Sequence, residues 1–193
     1  MARVSLRHKI LSAGIGLVHE HGLGGASVRD IVSAAGVPQG SFTNHFESKE
    51  HFVLEVLGLY FDGSRSTIRE TLLNDDLSPL GRMRIYIERN RDCLQSSSMQ
   101  KGCMLGNLTA EVSDHSELIR ERLNEIYAEI RSALEYCLMS AVRVKELPGH
   151  FEVAKTASFI LSGMQGGLLL SKASRSAEPM DTFMDLLFQA VLR

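Results

Sequence analysis

The chain has 193 residues, 44% of them hydrophobic and 23% charged, which allows one ordinary domain or a small module fused to a larger one and excludes a disordered or fibrous chain. A net charge of −2 argues against binding nucleic acid over the whole surface, yet the first fifty residues carry five Lys/Arg (Arg3, Arg7, Lys9, Arg29, Lys49) against four Asp/Glu (Glu20, Asp30, Glu47, Glu50) and so are weakly positive. Three cysteines, Cys93, Cys103 and Cys137, are an odd and widely spaced set, which excludes a disulfide framework and fits a reducing compartment.

The N-terminal Met-Ala-Arg-Val-Ser-Leu-Arg-His-Lys lacks the apolar run of a signal peptide, and no later apolar run is long enough to span a bilayer. The expectation is a cytoplasmic protein with no membrane partner. Apolar residues recur at helical spacing throughout and never alternate with period two, so the fold class is all-α. Leu6, Ile10, Ala13 and Leu17 mark one face of a first helix, ended by Gly22 to Gly25 because glycine tolerates the left-handed conformation of a helix terminus. Ser27 caps a short second helix running through Ile31 to about Ala35, with Asp30 placed as the acidic partner of a capping box. Gly36 followed by Val37-Pro38 breaks it before another short segment reaching Phe46.

Ser48 caps a longer fourth helix, whose stripe Phe52, Val56, Tyr60, Ile68 and Leu72 extends beyond what a small domain needs. Ser78-Pro79 opens the next helix, with Leu80, Met83 and Ile87 apolar; Gly102 precedes another from about Cys103 to Val112. Ile119, Leu123, Tyr127, Ile130, Leu134 and Cys137 line the longest helix, which stops near Leu147-Pro148-Gly149. Phe151 to about Ala173 forms the penultimate helix, and Met184, Leu187 and Val191 face inward on the last.

The stretch Ser27 to Phe46 has the layout of a helix-turn-helix: two short helices around a glycine turn, an apolar anchor in each (Ile31, Phe42), and Gln39, Ser41, Thr43, Asn44 and His45 on the exposed second helix for bases and phosphates. The alternative is a helical hairpin inside an ordinary bundle. Ser-Val-Arg-Asp-Ile, Ala-Ala-Gly-Val, Gly-Ser-Phe and His-Phe-Glu-Ser-Lys-Glu, in this order across roughly residues 6 to 55, resemble the TetR family of repressors. The resemblance implies an N-terminal three-helix DNA-binding domain over 1–47 and a helical ligand-binding and dimerisation domain over 48–193. It departs from the family at Thr43, where tyrosine is usual and touches a phosphate, and at Val32, where alanine is usual.

The expected DNA-contacting set is Ser27, Arg29, Gln39, Gly40, Ser41, Thr43, Asn44, His45 and Lys49. Asn44 and Gln39 are placed as base readers, because an amide can bond both edges of adenine. Ser27, Arg29 and Lys49 are placed on phosphates. Because one reading segment contacts few bases, the expectation is a homodimer, through the last two helices, on a near-palindromic double-stranded operator. Gly163, Gly166 and Gly167 would permit close approach of two helices, either between subunits or within one.

A small-molecule effector is expected to lie among Met83, Tyr86, Cys103, Met104, Leu105, Tyr127 and Met164, for each of which core packing is the alternative role. Cys103 sits in Lys101-Gly-Cys-Met-Leu-Gly-Asn, similar to the Gly-Cys segment of electrophile- and oxidant-sensing members of the family; the alternative is a small core residue. His19 and His21 point to different helix faces, and no His-Glu-x-x-His or Glu-x-x-His spacing occurs, so neither metal nor cofactor is expected. Gly22-Leu-Gly-Gly lacks the spacing and the preceding strand of a phosphate loop and reads as a cap and turn. No sequence-evident nucleophile, base or carboxylate pair points to catalysis, which leaves an all-helical enzyme or sequestering protein as the competing class.

Overall fold

The computed structural model describes residues 5–112 and 114–193, and among these described residues the chain forms eight α-helices. They are α1 (Leu6–Gly25), α2 (Val28–Ala34), α3 (Lys49–Glu70), α4 (Pro79–Ser96), α5 (Met104–Val112), α6 (Glu117–Arg143), α7 (Val153–Ser174) and α8 (Glu178–Leu186). No β-strand occurs among the described residues. A 3₁₀ turn, Gln39–Ser41, lies between α2 and α3, and a π-helical turn, Leu187–Val191, follows α8.

The chain divides into two compact units. The first comprises the described residues up to Gly63 with those of Met104–Asn124; the second comprises Ser64–Cys103 and Glu125–Arg193. Helices α3 and α6 each contribute residues to both.

In the first unit α1 packs on α2 and α5. Its buried face is Ile10, Leu11, Gly14 and Val18; of the stripe Leu6, Ile10, Ala13 and Leu17 expected from periodicity, Ile10 is buried, and the inward places fall one position on from Ala13 and Leu17. Leu6 is 44% exposed. Gly14 accounts for the displacement: a Cβ there would come within 2.1 Å of the Phe52 ring, so α1 presents bare backbone to α3 at that position. The helix breaks at Gly22, where φ is +72°, before one further turn leads to the α2 cap.

In the second unit α7 lies against α8, and α4 touches both. Ile160, Met164 and Leu168 of α7 meet the core with Met180, Met184 and Leu187. Leu192 rather than the expected Val191 is buried at the end of the chain. The π-helical turn explains the shift: the Leu192 N–H donates to the Leu187 carbonyl at 2.8 Å, and the extra residue per turn rotates the apolar face by one position. At the start of α4, Arg82 is almost wholly buried and pairs with Asp75 at 2.6 Å, while the Tyr136 hydroxyl donates to the same carboxylate at 2.8 Å.

Candidate nucleic-acid interface

The candidate interface is built from α2, the Gly36 turn and the segment to Phe46. Ser27 opens α2 as its sequence indicates: its Oγ accepts from the Asp30 N–H at 3.1 Å and donates to the Asp30 carboxylate at 2.5 Å. The Ser27 hydroxyl therefore holds the Asp30 carboxyl below the usual carboxylate range. Gly36 takes φ +63°, a left-handed turn that a residue with a Cβ rarely adopts, and the chain reverses into Pro38.

Where the sequence predicts a short second helix in the motif, the structure has a 3₁₀ turn at Gln39–Ser41 followed by turns to Phe46. Ser41 N–H donates to the Pro38 carbonyl and Phe42 N–H to that of Gln39, giving the 3₁₀ turn; only Phe46 N–H reaches back four residues, to Phe42, at 2.9 Å. Aromatic rings pack beneath it. The Phe42, Phe46 and Phe52 rings lie with centroids 5.0 to 5.2 Å apart, and the Arg7 guanidinium covers Phe46 at 5.5 Å while pairing with Glu55.

On this base Gln39, Gly40, Thr43, Asn44 and His45 are exposed. Ser41 is not: only 8% of it is accessible, because it shares the inward side of the turn with Phe42. The Thr43 hydroxyl donates to the Gly40 carbonyl at 3.2 Å, so it acts first as an internal brace. Arg29 is exposed. Lys49 is half-buried, and its ammonium donates to the Leu23 carbonyl. Ser48, next to it, caps α3 by accepting from the His51 N–H at 3.1 Å.

Periodicity and motif matching missed two features here. A shallow cavity of about 560 Å³ is lined by His8, Lys9, Ser12, Ala13, Ala34 and Ala35, which adds basic groups of α1 to the α2 side; the only sequence signal was a His-Lys pair one turn into a helix. Glu111 of α5 binds the Gly22–Gly25 turn through the N–H groups of Leu23 and Gly24. A glutamate 87 residues from Gly24 carries no local signal of that contact.

The expected effector residues fall in both units. Met104 and Leu105 open α5 in the first and are buried; Met83, Tyr86 and Met164 are buried in the second, where Tyr127 and Cys103 are half-buried. Tyr127 turns partly outward because Ile126, almost fully buried, takes the inward position on α6. Burial raises the Tyr86 phenol well above its ordinary pKa, and the neighbouring Cys103 adds to the effect. Two surface cavities of the second unit lie elsewhere. One of about 550 Å³ is lined by Arg65, Ile68, Arg69, Leu73, Glu129, Ser132, Ala133 and Tyr136, and one of about 470 Å³ surrounds Asp75, Arg82 and Arg143. No group of three or more His, Cys, Asp or Glu side chains suited to a metal occurs among the described residues.

Residues 10–56 match the model of bacterial regulatory proteins of the tetR family, and residues 79–187 match that of the tetracyclin repressor-like C-terminal domain. The chain is 32% identical over 192 residues to the HTH-type transcriptional repressor DhaR of Mycobacterium sp. (strain GP1), covering 100% of this chain and 95% of that one. It is 26% identical to the repressor NemR of Escherichia coli K12, over 91% of this chain and 88% of the relative. Among solved structures, regulatory protein TetR from Rhodobacter sphaeroides superposes with a TM-score of 0.87 at 25% identity, over 94% of this chain and 96% of that one. With both halves matched in order and a relative aligned along its whole length, the chain belongs to the TetR family of DNA-binding transcriptional regulators.

Proposed function

We propose that this repressor reads a near-palindromic operator as a homodimer, using Gln39, Gly40, Thr43, Asn44 and His45 at the bases and neighbouring backbone, and that an effector bound in its C-terminal part releases it. Regulators of this family bind DNA operators and small-molecule effectors as dimers and are not enzymes, which sets aside the catalytic alternative. The observation that carries the assignment of the reading surface is the exposed polar set standing on the Phe42, Phe46, Phe52 cluster. Polar side chains on a rigid base lose little entropy on binding, so their hydrogen bonds go into discrimination between bases. Arg29 and the basic residues of α1 supply phosphate contacts in this reading. Ser27 and Lys49 serve first as the cap of α2 and the brace of the Gly22–Gly25 turn, and any phosphate contact from them is secondary.

Residues 1–47 carry DNA binding in this proposal and 48–193 carry effector binding and dimerisation. The apolar side chains left outside on α7 and α8, Phe159, Leu169, Leu170 and Leu186, are each more than half exposed, which supports a subunit interface through the last two helices. Gly163 and Gly167 are already used within one subunit: a Cβ would come within 2.3 Å of Phe183 and 2.6 Å of Met180. Gly166 has open space around it and is the glycine that suits close approach of a second subunit. Among the described residues no helix is long and apolar enough to cross a membrane, and the proposed site of action is the cytoplasm, where the operator lies.

Effector control requires a ligand with different affinities for the DNA-bound and released states, and a shift of about 100-fold in operator affinity corresponds to about 2.7 kcal/mol of coupling. Tyr86, Cys103 and Met164 are the residues of the second unit around which we place that ligand. The test of the whole reading is selection of duplexes from a random pool by the purified protein. Recovered sequences should share a near-palindrome, and affinity for it should fall steeply with salt. Recovery of no common sequence overturns the proposal.

A further inference from the structure

The Gly22–Gly25 turn does more than end a helix. With Gly22 at φ +72°, the N–H groups of Leu23 and Gly24 converge on one carboxylate: Glu111 Oε2 accepts from Leu23 at 3.0 Å and Oε1 from Gly24 at 2.6 Å. A Cβ on Gly22 would stand 2.1 Å from a Glu111 carboxylate oxygen, so glycine is required there both by its backbone conformation and by the closeness of the anion. The Leu23 carbonyl accepts in turn from the Lys49 ammonium. The turn is thus held on its donors by an anion from α5 and on its acceptor by a cation from α3.

This turn is the connection between α1 and the Ser27 cap of α2, with only the buried Ala26 between. Its orientation sets the direction in which α2, and behind it Gln39 to His45, leave α1. Glu111 lies on the last turn of α5, about 10 Å along the helix from Met104 at 1.5 Å per residue. The other end of α5 is tied to α3 by the Met104 N–H, which donates to the Tyr60 hydroxyl at 3.4 Å.

We propose that Glu111 is a positioning residue for DNA recognition: its carboxylate, seated on the Leu23 and Gly24 N–H groups, fixes the reading segment at the angle that fits the operator. Hydrogen bonds to an ionised acceptor are shorter and stronger than neutral ones, and two on adjacent N–H groups fix direction as well as distance. The proposal rests on the reading that Gln39 to His45 face DNA. It assigns the carboxylate itself, rather than the bulk of the side chain, as the determinant.

The test uses the full-length protein and the duplex it selects, with affinity measured for wild type, Glu111→Ala and Glu111→Gln in potassium acetate and in potassium chloride of equal ionic strength. Glu111→Ala is expected to lose about tenfold in affinity, equivalent to about 1.4 kcal/mol. Acetate, which fits the vacated N–H pair, is expected to restore most of that loss where chloride does not, and Glu111→Gln to fall between. Unchanged affinity in Glu111→Ala, or a loss that acetate and chloride treat alike, overturns the proposal. If Glu111→Ala does not fold, Glu111→Gln decides: with a wild-type melting curve it is expected to bind several-fold more weakly, and wild-type affinity overturns the proposal. Failure of the wild type to select any duplex is a separate result, which removes the DNA-facing assignment and this proposal with it.

Discussion

The Phe52 ring occupies the place where a side chain on residue 14 would be: a Cβ on Gly14 would lie 2.1 Å from its Cζ. Phe52 also meets Phe42 at 5.2 Å and Phe46 at 5.0 Å between centroids, so the missing side chain of α1 leaves room for the aromatic base beneath residues 39–46. The ring is fully buried.

Gly14→Ala is accordingly expected to destabilise the protein by about 1–3 kcal/mol, the usual range for overpacking a filled core. Chemical denaturation would show a lower midpoint at unchanged slope, and operator affinity would fall with it. A midpoint equal to that of the wild type would mean that Phe52 gives way freely and that the packing account is wrong.

Base reading and phosphate binding separate by their signatures. Asn44→Ala is expected to relax preference at one position of the operator, costing about 1–3 kcal/mol against the preferred base pair. Arg29→Ala is expected instead to weaken binding to all duplexes alike and to lower the salt slope by about one. Ser41→Ala is expected to leave base preference unchanged, since only 8% of Ser41 is accessible. Binding of the three variants to a panel of singly altered operators checks all three, and an unchanged profile for Asn44→Ala removes it from the reading surface.

Leu170 is 58% exposed on α7 and belongs to the proposed subunit interface. Leu170→Asp would bury a charge there without a partner, a strongly unfavourable change. The variant is expected to be monomeric by mass measurement in solution, with helical content retained and operator affinity lost. If it sediments as the same dimer as the wild type, the interface lies elsewhere.

The three thiols should differ in chemistry. Burial pushes the Cys137 thiol up to about 12, and its Sγ donates to the Pro79 carbonyl at 3.1 Å, so it is expected to stay unmodified. Cys93 is exposed and Cys103 is half-buried at the start of α5. In a Cys93→Ser background, N-ethylmaleimide is expected to add its ring carbon to the Cys103 sulfur, the thiol proton passing to the neighbouring carbon, and to release the operator. The same treatment of Cys93→Ser/Cys103→Ser is expected to leave the complex intact. Equal responses of the two proteins would assign Cys103 to packing alone.

Much of this protein is determined locally and was legible as such. Helical periodicity gave the all-α class; Ser27, Gly36, Ser48 and Pro79 marked ends that depend on hydrogen bonds or backbone angles within a few residues. The order of short motifs around Ile31 and Phe42 identified the DNA-binding half. What only the tertiary structure decided is which face each element buries and which distant groups meet. Gly14 outranks Leu6 and Leu17 as the inward residue of α1 because a ring from α3 needs the space. Gly163 and Gly167 serve α8 of their own subunit because Phe183 and Met180 stand over them. Ser41 is turned inward beside Phe42 in the 3₁₀ turn, with only 8% of it accessible. Glu111 finds the Gly22–Gly25 turn because α5 folds back on α1. Such contacts join residues far apart in the chain, and no local pattern of composition, spacing or periodicity records them.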